Sequence, residues 1–118
     1  MARFVILEHD HPFFHWDLLL ENGESLKSWR VRQNLLVQHV QIIERLADHR
    51  IIYLDYEGPV SGNRGTVLRW DEGELIRFDR QQESLCVELK GNKIAGAIRI
   101  DLPEQPFATL IYQPNTRC

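Results

Sequence analysis

Leu75-Ile76-Arg77-Phe78, Ser84-Leu85-Cys86-Val87-Glu88-Leu89, Ile94-Ala95-Gly96-Ala97-Ile98-Arg99-Ile100 and Phe107-Ala108-Thr109-Leu110-Ile111-Tyr112 follow one another closely along the chain. They are separated only by Asp79 to Gln82, by Gly91-Asn92 and by the stretch around Pro103 and Pro106. Short β-rich runs at such intervals, punctuated by turn residues, predict an antiparallel barrel or sandwich. Working back from them, Thr66 to Trp70 reads as another strand, Asp71-Glu72-Gly73 as a tight turn, and the segment holding Gly58, Pro59, Ser61, Gly62, Asn63 and Gly65 as a long loop. Phe4 to Leu7, Phe13 to Glu21 and Ser25 to Val31 supply further strands, with Asn22-Gly23 closing the second. Between Asn34 and Asp48, Leu35, Leu36, Val40, Ile43 and Leu46 fall at helical spacing, while Val40-Gln41-Ile42-Ile43 equally fits a strand, and periodicity alone does not settle it. The expected fold is mainly β, a small antiparallel barrel of about six to eight strands with one or two short helices at most. Gln113 to Cys118 reads as a frayed tail.

The 118 residues, 43% hydrophobic and 26% charged, suit one compact domain over 1–118. A net charge of −3 gives no overall attraction to nucleic acid, so such a partner requires a local basic patch. Cys86 and Cys118 suggest neither a disulfide framework nor a cysteine zinc site. With no signal peptide and no membrane-length apolar run, a cytoplasmic location and no membrane partner are expected.

The chemistry concentrates in Glu8-His9-Asp10-His11-Pro12-Phe13-Phe14-His15-Trp16-Asp17, which holds three of the five histidines. On an extended strand His15 and Asp17 share a face, and His9 ends the preceding strand, with Pro12 in the turn between. Two imidazoles and a carboxylate can therefore converge from neighbouring strands, a donor set that suits manganese or zinc with coordination positions left open. On spacing alone, ordinary polar residues at strand ends are an equally good reading. Further on, His49 and Tyr53 stand four apart, on one face if that segment is a helical turn.

His9-Asp10, His15-x-Asp17, Leu26-Lys27-Ser28-Trp29, Asp48-His49, Tyr53 with Asp55-Tyr56-Glu57-Gly58, Gly65-Thr66-Val67 and Trp70-Asp71-x-Gly73, in this order and spacing, resemble the 3′-phosphoesterase domain of bacterial DNA ligase D. Lys90-Gly91-Asn92-Lys93-Ile94-Ala95-Gly96 is similar to the family's late hairpin. The resemblance implies a small β-barrel, in which Val40 to Leu46 is assigned as a strand, that uses manganese to trim 3′ ends of DNA or of RNA–DNA primer strands during repair, removing a terminal ribonucleoside or a 3′-phosphate. It implies His9, His15 and Asp17 as metal ligands, His49 at the phosphate and Tyr53 supporting the site, with DNA repair proteins as possible partners.

The sequence also departs from that pattern. Leu19 stands where the family carries an arginine that grips the scissile phosphate, and Gln33 and Gln41 fall on positions of expected basic residues. Each lost charge-assisted phosphate contact costs about 1.5–3 kcal/mol. Arg30, Arg32 and Arg50 are the chosen substitutes, with Arg45 and Arg64 as further candidates. Because Leu19 shares a face with His15 and Asp17, Leu19→Arg is expected to raise turnover in a weakened esterase. Two other readings stay open: a metal-binding relative that binds DNA ends or nucleotides without cleaving them, and a small barrel acting on another phosphate ester.

Overall fold

Each short apolar run becomes a strand in the computed structural model, which describes all residues 1–118. In chain order these are β1 (Arg3–His9), β2 (His15–Asn22), β3 (Ser25–Val31), β4 (Val40–Arg50), β5 (Gly58–Pro59), β6 (Thr66–Arg80), β7 (Ser84–Gly91), β8 (Ala95–Asp101) and β9 (Phe107–Pro114). Pairing runs β1-β2-β3-β4-β9-β8-β7-β6, all antiparallel, and β6 returns to β1, so eight strands close a barrel while β5 adds to β6. The expected barrel is therefore present, and its helical content is one 3-10 turn, Ile51–Leu54. None of its helices is long and apolar enough to cross a membrane.

Alternation along the strands makes two separate apolar regions. Phe4 and Ile6, Leu18 and Leu20, and Trp29 and Val31 point into the barrel, joining Ile43, Val87, Ile98, Leu110 and others in a core of 18 buried residues. Val5, Leu7, Leu19 and Leu26 point outward and form a second cluster with Leu54 and Val67, closed over by the 3-10 turn and by Tyr56 and Val60. Outward residues of this wall are thus sealed beneath that cover, as Val5 and Leu19 are, or line the cleft beside it, as His9, His15 and Asp17 do.

Three local expectations are corrected, those for Asp71 to Gly73, the C-terminal tail and the cysteines, while the strand over Val40 to Leu46 is borne out. Asp71-Glu72-Gly73 is no turn, because β6 runs unbroken for 15 residues. It pairs with β1 through its first half and β7 through its second, bending at register shifts opposite Ile6/Leu7 and between Leu75 and Arg77. Gly73 permits this corner: a Cβ there would lie 2.0 Å from the Lys90 carbonyl oxygen. The helical periodicity after Asn34 yields only a brief turn, in which Leu36 N–H donates to Asn34 Oδ1, before the assigned strand begins at Val40. Nor does the C-terminus fray. Cys86 and Cys118 form a disulfide with their Cα atoms 5.7 Å apart, Asn115 N–H donates to the Ala95 carbonyl and Cys118 N–H to Glu88 Oε1. Two cysteines far apart in sequence gave no framework pattern, and their meeting follows from the β7–β8–β9 register.

Asp71 belongs to architecture rather than chemistry. Only 2% exposed, its carboxylate accepts the N–H groups of Glu72, Asn92, Lys93 and Ile94 at 2.8–3.1 Å, folding the β7–β8 hairpin around one anion. This explains why Trp70-Asp71-x-Gly73 and the Lys90-Gly91-Asn92 hairpin occur together. Asp71→Asn turns an amide donor toward some of those N–H groups, so we expect a loss of about 2–3 kcal/mol in urea unfolding. A change under about 0.5 kcal/mol would contradict this role.

Candidate metal centre

The ends of β1 and β2 bring the predicted ligands together because His9 and His15 are direct cross-strand partners. His9 Nδ1 lies 2.9 Å from Asp17 Oδ2, and His15 Nε2 lies 2.8 Å from Asp17 Oδ1. His15 and Asp17 are fully buried, whereas His9 is half-buried. One donor atom from each of the three residues falls within 4.8 Å of the others.

The remaining ring nitrogens are also engaged: His15 Nδ1 with the Phe13 carbonyl at 2.7 Å, and His9 Nε2 with the Arg64 carbonyl at 2.8 Å. A carbonyl only accepts, so both contacts require an N–H on that nitrogen. Neutral imidazoles carry one proton each, and with these committed His9 Nδ1 and His15 Nε2 turn lone pairs toward Asp17. A cation among the three donors resolves that conflict, and backbone acceptors behind the rings are the usual support of histidine ligands. The donor set therefore fits a divalent transition ion. Without a metal, protons fill the same role. The hydrogen bond that His9 donates to Asp17 raises the His9 pKa, while burial pushes the Asp17 carboxyl upward but hydrogen bonds from His15 and His9 outweigh it and bring it down to about 2.

These ligands lie on the outer wall of the barrel, at one side of a cleft of about 500 Å³. Arg30, the cross-strand partner of Asp17 on β3, lines it. Its Nη1 reaches Glu44 Oε1 at 3.3 Å, while its Nε is buried without a hydrogen-bond partner. Arg50, Arg64, His49 and Tyr53 line the cleft as well. Three arginines thus face two acids, Asp17 and Asp48, so a chain of net charge −3 holds a locally basic cleft. Asp48 is committed elsewhere: burial raises its pKa, but the hydrogen bond from Arg45 prevails and lowers it.

His49 and Tyr53 meet as expected, with ring centroids 5.7 Å apart and edge-on. They come together through the end of β4 and the 3-10 turn rather than through one helical turn. A register shift between the Leu26–His49 and Ser28–Leu46 pairs re-aims this end of β4. His49 Nδ1 donates to the Ala47 carbonyl at 3.0 Å, leaving Nε2 to take or give a proton.

Arg32, expected among the substrate contacts, stays outside the cleft, with its guanidinium over the Phe13 ring at 4.4 Å and bonded to Glu44. Arg45 is held by the Ser28 and Leu46 carbonyls and by Asp48. Gln33 and Gln41 bond to each other, Gln33 N–H to Gln41 Oε1 and Gln41 Nε2 to the Gln33 carbonyl, so neither extends to the ligands. The contribution of the Arg64 carbonyl was missed in the sequence, where Arg64 stood only as a spare cation. The paired motifs His9-Asp10 and Gly65-Thr66 were its signal.

Leu19 does share the outward face, as alternation required, but it is sealed in the second apolar cluster and does not line the cleft. The expected gain from Leu19→Arg is replaced by a loss. A guanidinium at a site packed by Val5, Leu7 and Leu26 lacks a partner, and we expect destabilisation of about 3 kcal/mol or more in urea unfolding. Unchanged stability would show that the new side chain escapes into the cleft.

Comparison with known proteins points the same way. The family profile described as "DNA Ligase D 3'-phosphoesterase domain" matches residues 7–101. The multifunctional non-homologous end joining protein LigD of Pseudomonas aeruginosa is 31% identical over 108 residues, covering 81% of this chain and 13% of that protein. LigD of Mycobacterium bovis is 34% identical over 104 residues, covering 79% and 13%, and LigD of Mycolicibacterium smegmatis is 30% identical over 110 residues, covering 80% and 14%. The chain therefore spans only 13–14% of the length of these relatives.

Proposed function

The chain belongs to the DNA ligase D 3′-phosphoesterase domain family, and from that premise we propose that it is a metal-dependent phosphoesterase acting on the 3′ ends of DNA or primer strands in DNA end repair. The observation that carries this reading is the convergence of His9, His15 and Asp17 at the side of an arginine-lined cleft. Manganese, or zinc, held by these three residues would polarise the phosphoryl oxygen and offset charge developing on it.

The chain's own residues then divide the work. Arg30 stands beside Asp17 with an unused Nε–H, and a phosphate oxygen in the cleft is the natural acceptor for it. That contact takes over the role that the buried Leu19 cannot fill. His49, its proton held on Nδ1, exchanges a proton through Nε2 or donates to the phosphate, and Tyr53 packs edge-on to keep the ring in place. Arg50 and Arg64 face the same cleft and attract a polyanion.

The binding-only reading draws on one specific observation, the absence of any β2 cation beside the ligands, with Leu19 buried instead. Two measurements separate the readings. Calorimetric titration with manganese should show one site that disappears in His15→Ala. Primer–templates ending in one 3′ ribonucleotide or a 3′-phosphate, incubated with the protein and manganese, should lose the terminal group, and His9→Ala should abolish the reaction. Arg30→Ala should slow it about tenfold to a hundredfold with manganese affinity unchanged. End binding without cleavage would favour the binding module, and no metal site in the wild type would overturn both.

A further inference from the structure

We propose that Asp10 is a positioning residue for the metal centre, acting through the backbone of the β5–β6 loop to hold His9 in its ligating form. The proposal rests on the reading of His9 as a ligand, but its first test needs no metal.

The ladder between β1 and β6 ends at the His9–Val67 pair. One position beyond, the Asp10 side chain replaces the backbone: its Oδ1 accepts Thr66 N–H at 2.7 Å. Gly65 lies directly against this carboxylate, since a Cβ there would come within 2.1 Å of Asp10 Oδ1 and 2.7 Å of His11 Cβ, and its φ of +78° suits glycine. The loop is braced internally, with Val60 N–H donating to the Gly65 carbonyl and Arg64 Nε to the Ser61 carbonyl. Asp10 at Thr66 N–H and Val60 at the Gly65 carbonyl thus hold the Gly65–Thr66 peptide, and in the peptide before it the Arg64 carbonyl accepts the His9 Nε2–H at 2.8 Å.

That carbonyl decides which His9 nitrogen can bind a cation. Nε2–H is stabilised by Arg64, leaving Nδ1 as a lone pair toward Asp17 and the cation. If the carbonyl moves away, the proton is free to settle on Nδ1, where Asp17 accepts it and the ligand is lost. The Asp10 carboxylate thus acts two bonds of the network away from the ring, and neither its charge nor its contact with His9 is required. Only an oxygen acceptor is.

The test uses the full chain without metal. Nitrogen-15 NMR of the imidazoles at alkaline pH, where they are neutral, gives the ratio of Nε2–H to Nδ1–H for His9. Asp10→Ala should lower that ratio about fivefold, the effect of losing one ordinary hydrogen bond. Asp10→Asn keeps an oxygen for Thr66 N–H and should retain the wild-type ratio. Manganese affinity should fall tenfold to a hundredfold in Asp10→Ala alone, as for other supports behind metal-ligating histidines. If Asp10→Ala fails to fold, Gly65→Ala displaces the loop from its other side and should move the ratio in the same direction. A ratio unchanged in a folded Asp10→Ala or Gly65→Ala protein overturns the proposal, as does Asp10→Asn behaving like Asp10→Ala. A wild type that binds no manganese, while the ratio still shifts, would count against the metal reading and leave the clamp established.

Discussion

Strand β2 has no idle face, and that constraint organises the molecule. Leu18 and Leu20 fill the barrel, while His15, Asp17 and Leu19 form its outer wall and are themselves completely buried. A carboxylate at such a depth persists because two imidazoles hydrogen-bond to it, and the imidazoles hold their orientation because backbone carbonyls stand behind them. The 3-10 turn and the β5–β6 loop complete the arrangement by covering the apolar part of the same wall and leaving the polar part at the edge of the cleft. Barrel closure, ligand convergence and cleft shape thus share one structural cause.

Much of this was legible in the sequence, because strand periodicity is local. The strand expected over Ser25 to Val31 is present, with Leu26 in the outer cluster and Trp29 and Val31 inside. So is the meeting of His9, His15 and Asp17, which needs only two adjacent strands and the turn between them. What escaped depends on partners distant along the chain. Asp71-Glu72-Gly73 has the composition of a turn, but Asp71 serves the β7–β8 hairpin about 20 residues away and Gly73 makes room for Lys90. The disulfide requires the register of three strands. Leu19 was placed on the correct face, yet periodicity says nothing of depth, and the cover formed by Leu54 and Val60 comes from segments that sequence alone does not fold over it.

The basic residues follow the same logic. Counting arginines suggested five candidates, but each guanidinium's fate depends on which acceptors lie near it. Arg45 is consumed by two carbonyls and Asp48, and Arg32 by Glu44 and the face of Phe13. Arg30 keeps one donor in reserve within the cleft. An unsatisfied buried donor costs free energy in the unliganded protein, so its presence beside the His9–His15–Asp17 group is more informative than the number of positive charges nearby.

Placing the ligands on the outside of the wall also separates two kinds of variation by residue parity. Along β1 and β2, even-numbered positions such as Phe4, Ile6, Leu18 and Leu20 belong to the barrel interior, while odd-numbered ones from Val5 to Leu19 belong to the outer cluster and the His9–His15–Asp17 group. Exchanges at odd positions can remodel what the cleft grips without disturbing the packed lumen. Leu19 is an odd-numbered position of this type, held by a small satellite of apolar residues apart from the lumen. Lumen and outer wall are thus separate ledgers of one strand pair, and a substitution is entered in one without altering the other.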